Sequence, residues 1–271
     1  MLLGISALSG CAWFTNKQRE LAFRPTPGRP ADFVGLRPGD VTRAVPVPGT
    51  DDEVQIWWLP HANPDAPTVL YLHGTFRNLY RNLPKIDAFR EAGFSVVAVD
   101  YRGWGESTRI IPSESSIYAD AEVAWAELVK RQPVPGKRLI YGHSMGGGVA
   151  VEMASRRKGK TDYGGLIVES TFSRWPDVAA IIGFWGSVLS WFAADNFDSV
   201  DKIGKVDAPV MIIHGEADDT VPVVLGERLR DAAPAGTRWV AIPKGSHSRL
   251  FSDDPATYQA ALREMRDKLT P

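Results

Sequence analysis

Cysteine is almost absent. Cys11 stands alone among 271 residues, which excludes an internal disulfide and any thiolate-built metal cluster. No His-Glu-x-x-His run offers zinc ligands on a helix, so no metal and no cofactor is expected. Neither sign of charge dominates: 31 Lys and Arg stand against 32 Asp and Glu, for a net charge of -1. There is no basic excess to follow a phosphate backbone, and nucleic acid is excluded as the expected partner. The uncharged stretch Ala179–Ala194, "AAIIGFWGSVLSWFAA", is sixteen residues long. That is short of the roughly 20 that cross a bilayer, and it reads as an apolar hairpin or lid.

The chain is long enough for one large α/β domain or two small ones, and for a sizeable core. Prolines at 25, 27, 30, 38, 46 and 48 predict an extended Pro-rich tether over residues 12–40, running into a domain at 41–271. Strand-like apolar runs follow at Glu53–Leu59, Thr68–Leu72, Ser95–Val99, Arg138–Tyr141, Gly165–Val168, Val210–Ile213 and Arg238–Ile242. Helical-period segments separate most of them, at Leu79–Ala92, Glu114–Arg131, Met145–Lys158, Val223–Ala233 and Pro255–Leu269. Such alternation predicts a largely parallel sheet covered by helices on both faces. Ser113 is placed to cap the second helix. The rhythm breaks once, over about 172–205, where the uncharged stretch lies and a cap insertion is expected.

Gly142-His143-Ser144-Met145-Gly146 fits the nucleophile elbow, a sharp strand-to-helix turn that needs small neighbours on either side of an exposed serine. Ser144 follows an apolar strand and precedes a helix that begins with Gly146, Gly147 and Gly148. Glycines there cost up to roughly 1 kcal/mol each relative to alanine, so this helix start is expected to lie close against neighbouring backbone. A serine hydroxyl needs a base to take its proton and an acid to orient the base. Asp218 in "HGEADDTVP" follows one strand and His247 in "IPKGSHSRLF" follows the last. The chain order Ser144, Asp218, His247 differs from the orders of the chymotrypsin and subtilisin folds and matches Ser…Asp…His.

From about Val41 to its end the chain resembles an α/β-hydrolase. It is particularly similar to the "alpha/beta hydrolase domain" serine hydrolases, which include depalmitoylating thioesterases and lysophospholipases. The segments "LHGTFRNLYRNLPKIDAFREAGFSVVAVDYRGWGES" and "HGEADDTVP" carry the resemblance. It implies the fold, a Ser-Asp-His triad and ester-type chemistry through an acyl-enzyme, with no cofactor. It also implies an oxyanion hole made by the backbone amides of Met145 and Thr75. Phe76 and Arg77 stand where relatives often carry small residues, which leaves the shape and charge of the pocket wall open. Asp219 and Glu169 remain alternatives for the acid, although the family's His-Gly-x-x-Asp spacing lands on Asp218. His73 and His214 read as turn supports, and His143 as the variable residue of the elbow.

The expected activity is hydrolysis of carboxylic esters or thioesters with an acyl chain, Phe76, Trp185 and Trp191 lining the substrate path. A serine peptidase and a non-catalytic binding module on the same fold are the alternatives. At the other end of the chain, Leu8-Ser9-Gly10-Cys11 resembles a bacterial lipobox, although the segment lacks a basic start and its apolar part is short. That resemblance implies a signal over residues 1–11, a lipid on Cys11 and a place in the bacterial cell envelope, at the outer membrane or periplasmic face. An incidental cysteine in a cytoplasmic protein is the other reading.

Overall fold

The computed structural model describes residues 2–181 and 195–269, with side chains described for 13–178 and 195–269. Its frame is one sheet whose strands are β1 (Val41–Pro46), β2 (Glu53–Leu59), β3 (Thr68–Leu72), β4 (Ser95–Asp100), β5 (Arg138–His143), β6 (Gly165–Glu169), β7 (Val210–Gly215) and β8 (Arg238–Ile242). Their order across the sheet is β1-β2-β4-β3-β5-β6-β7-β8. β1 and β2 pair antiparallel and β2 runs antiparallel to β4, while every pair from β4 to β8 is parallel. The central strands are continuous apolar runs because both their faces are covered. Alternation along each strand divides the core in two. Leu70, Val97, Ile140, Leu166 and Ile212 face one layer, and Val69, Val96, Leu139, Ile167 and Met211 face the other.

Helices α3 (Glu114–Arg131), α4 (Met145–Ser155) and α7 (Val223–Ala232) cover the first face through Ile117, Val149 and Leu225. Helices α2 (Leu79–Glu91) and α8 (Pro255–Lys268) cover the second through Ile86 and Met265. Ser113 does cap α3: its hydroxyl accepts from the Ser116 amide, and the Ser116 side chain returns the contact, closing a capping box. This is the mostly parallel sheet with flanking helices that the alternation predicts. β1 is an addition to the predicted strands. It is a short antiparallel edge strand that ends on Pro46, where a missing amide does no harm, and its Pro-rich setting hides it.

The N-terminal part corrects the sequence reading. Residues 12–23 are not tether but the second half of helix α1 (Leu2–Phe23), which "KQREL", a run of good helix formers without proline, continues. Cys11 lies within α1, its side chain outside the described residues. Nor does the Pro-rich stretch from Arg24 hang free. Phe23 is 1% exposed, with its ring 5.9 Å from that of Trp175 and 6.2 Å from that of Phe197. Gly28 N–H donates to the carbonyl of Gly105 in the turn after β4, and Gly105 N–H donates back to Thr26 O at 3.0 Å.

The insertion between β6 and β7 is described at its base. Helix α5 (Trp175–Ile181) leads out and α6 (Val200–Ile203) returns, and the two ends are sewn together by Trp175 N–H to Asn196 O at 2.8 Å and Val200 N–H to Ser173 O at 3.0 Å. Arg19 of α1 grips the returning end through Asp195, at 2.8 Å. Trp185 and Trp191, with most of the uncharged stretch, lie outside the described residues.

Candidate active site

The elbow forms because three chain segments meet closer than a side chain allows. A Cβ on Gly142 would sit 2.0 Å from the Gly146 carbonyl oxygen, and one on Gly146 would sit 2.2 Å from that of Leu72. Both values are impossible contacts, so the end of β5 and the start of α4 must be glycine. Ser144 between them takes φ 54° and ψ -122°. A non-glycine residue held there costs on the order of 1–3 kcal/mol, and the surrounding bonds enforce it. Ser144 N–H donates to Glu169 O at 2.9 Å, and the Thr171 hydroxyl donates to Ser144 O at 2.8 Å.

The turn aims Oγ of Ser144 at His247, whose Nε2 lies 3.1 Å away. The other ring nitrogen, Nδ1, lies 2.8 Å from Oδ2 of Asp218. The second carboxylate oxygen of Asp218 accepts from the amides of Val221 at 2.8 Å and Thr220 at 3.0 Å. Burial works against ionisation of this carboxyl, but the His247 contact and the Val221 amide outweigh it and hold its pKa below the usual carboxylate range. Asp218 is therefore the acid that meets the imidazole. Asp219 faces solvent. Glu169 is engaged elsewhere, by the hydroxyls of Tyr141 at 2.6 Å and Tyr258 at 2.7 Å and by the Lys85 ammonium.

Two histidines do more than support turns. His143, inside the elbow itself, donates from Nε2 to the backbone carbonyl of His247 at 2.9 Å and so holds the histidine loop from beneath. It can donate as a neutral imidazole: burial, then Lys85 and His247, push its pKa well below the usual value. His214 holds the acid loop in the same way, through Nε2 to Val221 O at 2.8 Å, and burial lowers its pKa too. The elbow pattern treats position 143 as variable, so only its neighbours in space reveal the role. His73 is buried beside Asp100, with Nε2 3.2 Å from Oδ1. Asp100 accepts from the Leu79 amide at 2.9 Å and thereby ties the start of α2, while Arg102 pairs with Asp120 at 2.7 Å.

Thr75 and Met145 flank Ser144, and among the described residues neither amide is engaged by a protein acceptor. Both are free to meet a substrate oxygen. The loop that presents Thr75 is a three-residue turn, closed by Arg77 N–H to Thr75 O at 2.9 Å with Phe76 at φ 67°, a rare and strained form. The N-terminal segment clamps it. The Thr26 hydroxyl donates to Phe76 O at 2.6 Å, and the Asn78 side-chain amide donates to the carbonyls of Thr26 and Gly28 at 3.1 and 2.9 Å. Phe76 is thus turned outward, half exposed, and borders a cavity of about 470 Å³ that also contains Ser144 and His247. Among the described residues no cluster of His, Cys, Asp and Glu could hold a metal ion.

The sheet order, the elbow and the loops that follow β7 and β8 define the class, a serine hydrolase of the α/β-hydrolase fold. A family model described as serine aminopeptidase S33 (Hydrolase_4) matches residues 63–199, and the chain belongs to that family. An uncharacterised protein of Mycobacterium tuberculosis is 32% identical over 237 residues, 86% of this chain and 81% of that protein. The lysophosphatidylserine lipase ABHD12 of Danio rerio is 31% identical over 192 residues, covering 65% of this chain and 50% of that protein. Among solved structures, a Pyrococcus furiosus esterase superposes with a TM-score of 0.69 at 17% identity, over 90% of this chain and 97% of its own. At that identity the likeness speaks for the fold.

Asp218→Asn should lower ester turnover by on the order of a thousandfold to ten-thousandfold, because the amide cannot hold the imidazole in its working tautomer. Asp219→Asn should stay within about twofold, as expected of a solvent-facing carboxylate. Steady-state kinetics on the pair decides the assignment, and a larger loss in Asp219→Asn overturns it.

His143 also makes a pH prediction. Its folded pKa lies below its unfolded one, so the unfolded chain binds the extra proton, and this stability is present above about pH 6.5 and is lost as pH falls. On going from pH 7.5 to 5.5, roughly spanning that value, the urea midpoint of His143→Gln should fall less than that of the wild type. Equal shifts would mean that His143 is not held neutral.

Proposed function

We propose that Ser144, His247 and Asp218 form a catalytic triad that hydrolyses carboxylic esters or thioesters carrying an acyl chain. The continuous contact from Ser144 Oγ through the ring of His247 to Asp218 Oδ2 carries the reading. Oγ attacks the carbonyl carbon while its proton passes to Nε2 of His247, and Asp218 stabilises the resulting imidazolium. The carbonyl oxygen, now negative, is met by the free amides of Thr75 and Met145. The intermediate collapses by breaking the ester bond, and the departing alkoxide or thiolate takes the proton from His247. Water then gives a proton to Nε2, attacks the acyl carbon, and releases the carboxylic acid as Ser144 regains its hydrogen.

A lipid-like acyl ester is favoured by two features. One is the lipase activity in the name of a relative, and the other is the uncharged stretch Ala179–Ala194 in the sequence between β6 and β7. Peptide amides differ in leaving group alone, and the family's description supports them. A panel of acyl esters, acyl thioesters and aminoacyl amides separates the classes.

Ser144→Ala should abolish labelling by a fluorophosphonate probe and lower ester turnover by several orders of magnitude, as when a nucleophile that acts as a unit with its base is lost. Labelling that persists in Ser144→Ala would move the nucleophile elsewhere. We further propose, from Leu8-Ser9-Gly10-Cys11, that Cys11 carries a lipid that holds the enzyme at the bacterial envelope. Expression with an alkyne fatty acid should then label the wild type and not Cys11→Ser, and equal labelling of the two removes the claim.

A further inference from the structure

The cavity in front of Ser144 and His247 has a one-sided charge. Among the described residues it is lined by Arg77, Arg81, Lys85 and Arg249 and by no aspartate or glutamate. Lys85 is buried and engaged by Glu169. Arg77 and Arg81 make no ion pair among the described residues, and the segment 182–194 carries no acidic residue in its sequence. Arg249 has a single loose contact, to Asp253 at 3.9 Å, and its side chain is 68% exposed. Other guanidinium groups are closely paired, as with Arg90 on Asp40 at 2.9 Å and Arg102 on Asp120 at 2.7 Å.

The placement of the two unpaired arginines works against local stability. Arg77 precedes the cap residue Asn78, Arg81 lies in the first turn of α2, and that turn has no acidic residue. A helix N-terminus already carries partial positive charge and is stabilised by acidic groups, so arginines there add repulsion. The same arrangement adds helix dipole and side-chain charge at one rim of the cavity. In a cleft with low-dielectric walls such a potential is focused on whatever enters. Toward the buried end Arg77 adds, behind burial, Lys85 and His247, to the influences that lower the His143 pKa.

We propose that the physiological ester carries an anionic group, a carboxylate or a phosphate, that seats against Arg77, Arg81 and Arg249 while its carbonyl lies at Ser144. This rests on the serine-ester reading above and narrows it. Guanidinium groups suit either anion because their planar donors match two oxygens at once.

Two matched pairs of esters test it with the full chain at low ionic strength. In the first pair the charge is on the acyl side, para-nitrophenyl hemiadipate against para-nitrophenyl hexanoate. In the second it is on the alcohol side, hexanoyl glycerol phosphate against monohexanoylglycerol. The charged member of at least one pair should have the higher kcat/KM, on the order of tenfold, the size of one charge-assisted hydrogen bond. The preference should fade at high salt, as exposed charges are screened, and fall toward one in Arg77→Gln/Arg81→Gln. The pair that shows it identifies the side that bears the anion. If Ser144 takes a fluorophosphonate label and the uncharged esters are turned over as well as the charged ones, this inference fails and the serine-ester reading stands. A preference that persists in the double variant and at high salt also overturns the arginine assignment. No label and no turnover of any ester overturns both.

Discussion

The close approach of the start of α4 to the ends of β3 and β5 is the constraint on which the rest depends. With side chains at positions 142 and 146 the segments would collide, and with looser spacing Ser144 would relax out of its strained backbone conformation. The strain of on the order of 1–3 kcal/mol is carried by a fully covered parallel sheet, where strand positions are set by packing on both faces. From that one turn follow the direction of the Ser144 hydroxyl, the unengaged Met145 amide and the seat of His143 beneath the histidine loop. Gly74 belongs to the same knot, since a Cβ there would lie 2.9 Å from that of Ser144.

The polar groups around the knot are sorted by how their charges are compensated. Asp218 stays ionised because amides and the His247 ring surround its oxygens. Glu169 is satisfied by two tyrosine hydroxyls and one ammonium, which keeps a second buried carboxylate from competing for the imidazole. His143 and His214 act as neutral donors to loop carbonyls. A buried charge that lost its partner would cost several kcal/mol, so each of these pairings also fixes the loop that supplies it. At the positive rim, Arg77 and Arg81 have no ion-pair partner among the described residues and Arg249 has a single loose contact to Asp253.

The N-terminal segment joins the scaffold to that pattern. Arg19 grips the returning end of the insertion, Phe23 packs beneath its base, and Thr26 holds the Thr75 loop. One stretch of chain therefore couples the base of the insertion to the loop that carries Thr75, the residue proposed to meet the substrate oxygen.

Much of this was legible in the sequence, and the reasons are local. The continuous apolar runs, the elbow glycines and the order Ser144, Asp218, His247 are properties of neighbouring residues or of chain order, so the fold class and the three candidate residues could be read directly. Ser113 was recognisable as a cap for the same reason. Other features depend on segments that meet only in space. β1 is a strand because β2 pairs with it, and residues 12–23 continue a helix that proline counting does not detect. His143 acts on a carbonyl 104 positions away, and Thr26 on one 50 positions away. The choice between Asp218 and Asp219 is made by which carboxylate the loop turns inward to His247. Adjacent residues share their sequence surroundings and differ in direction alone, and direction is decided by the packed tertiary structure.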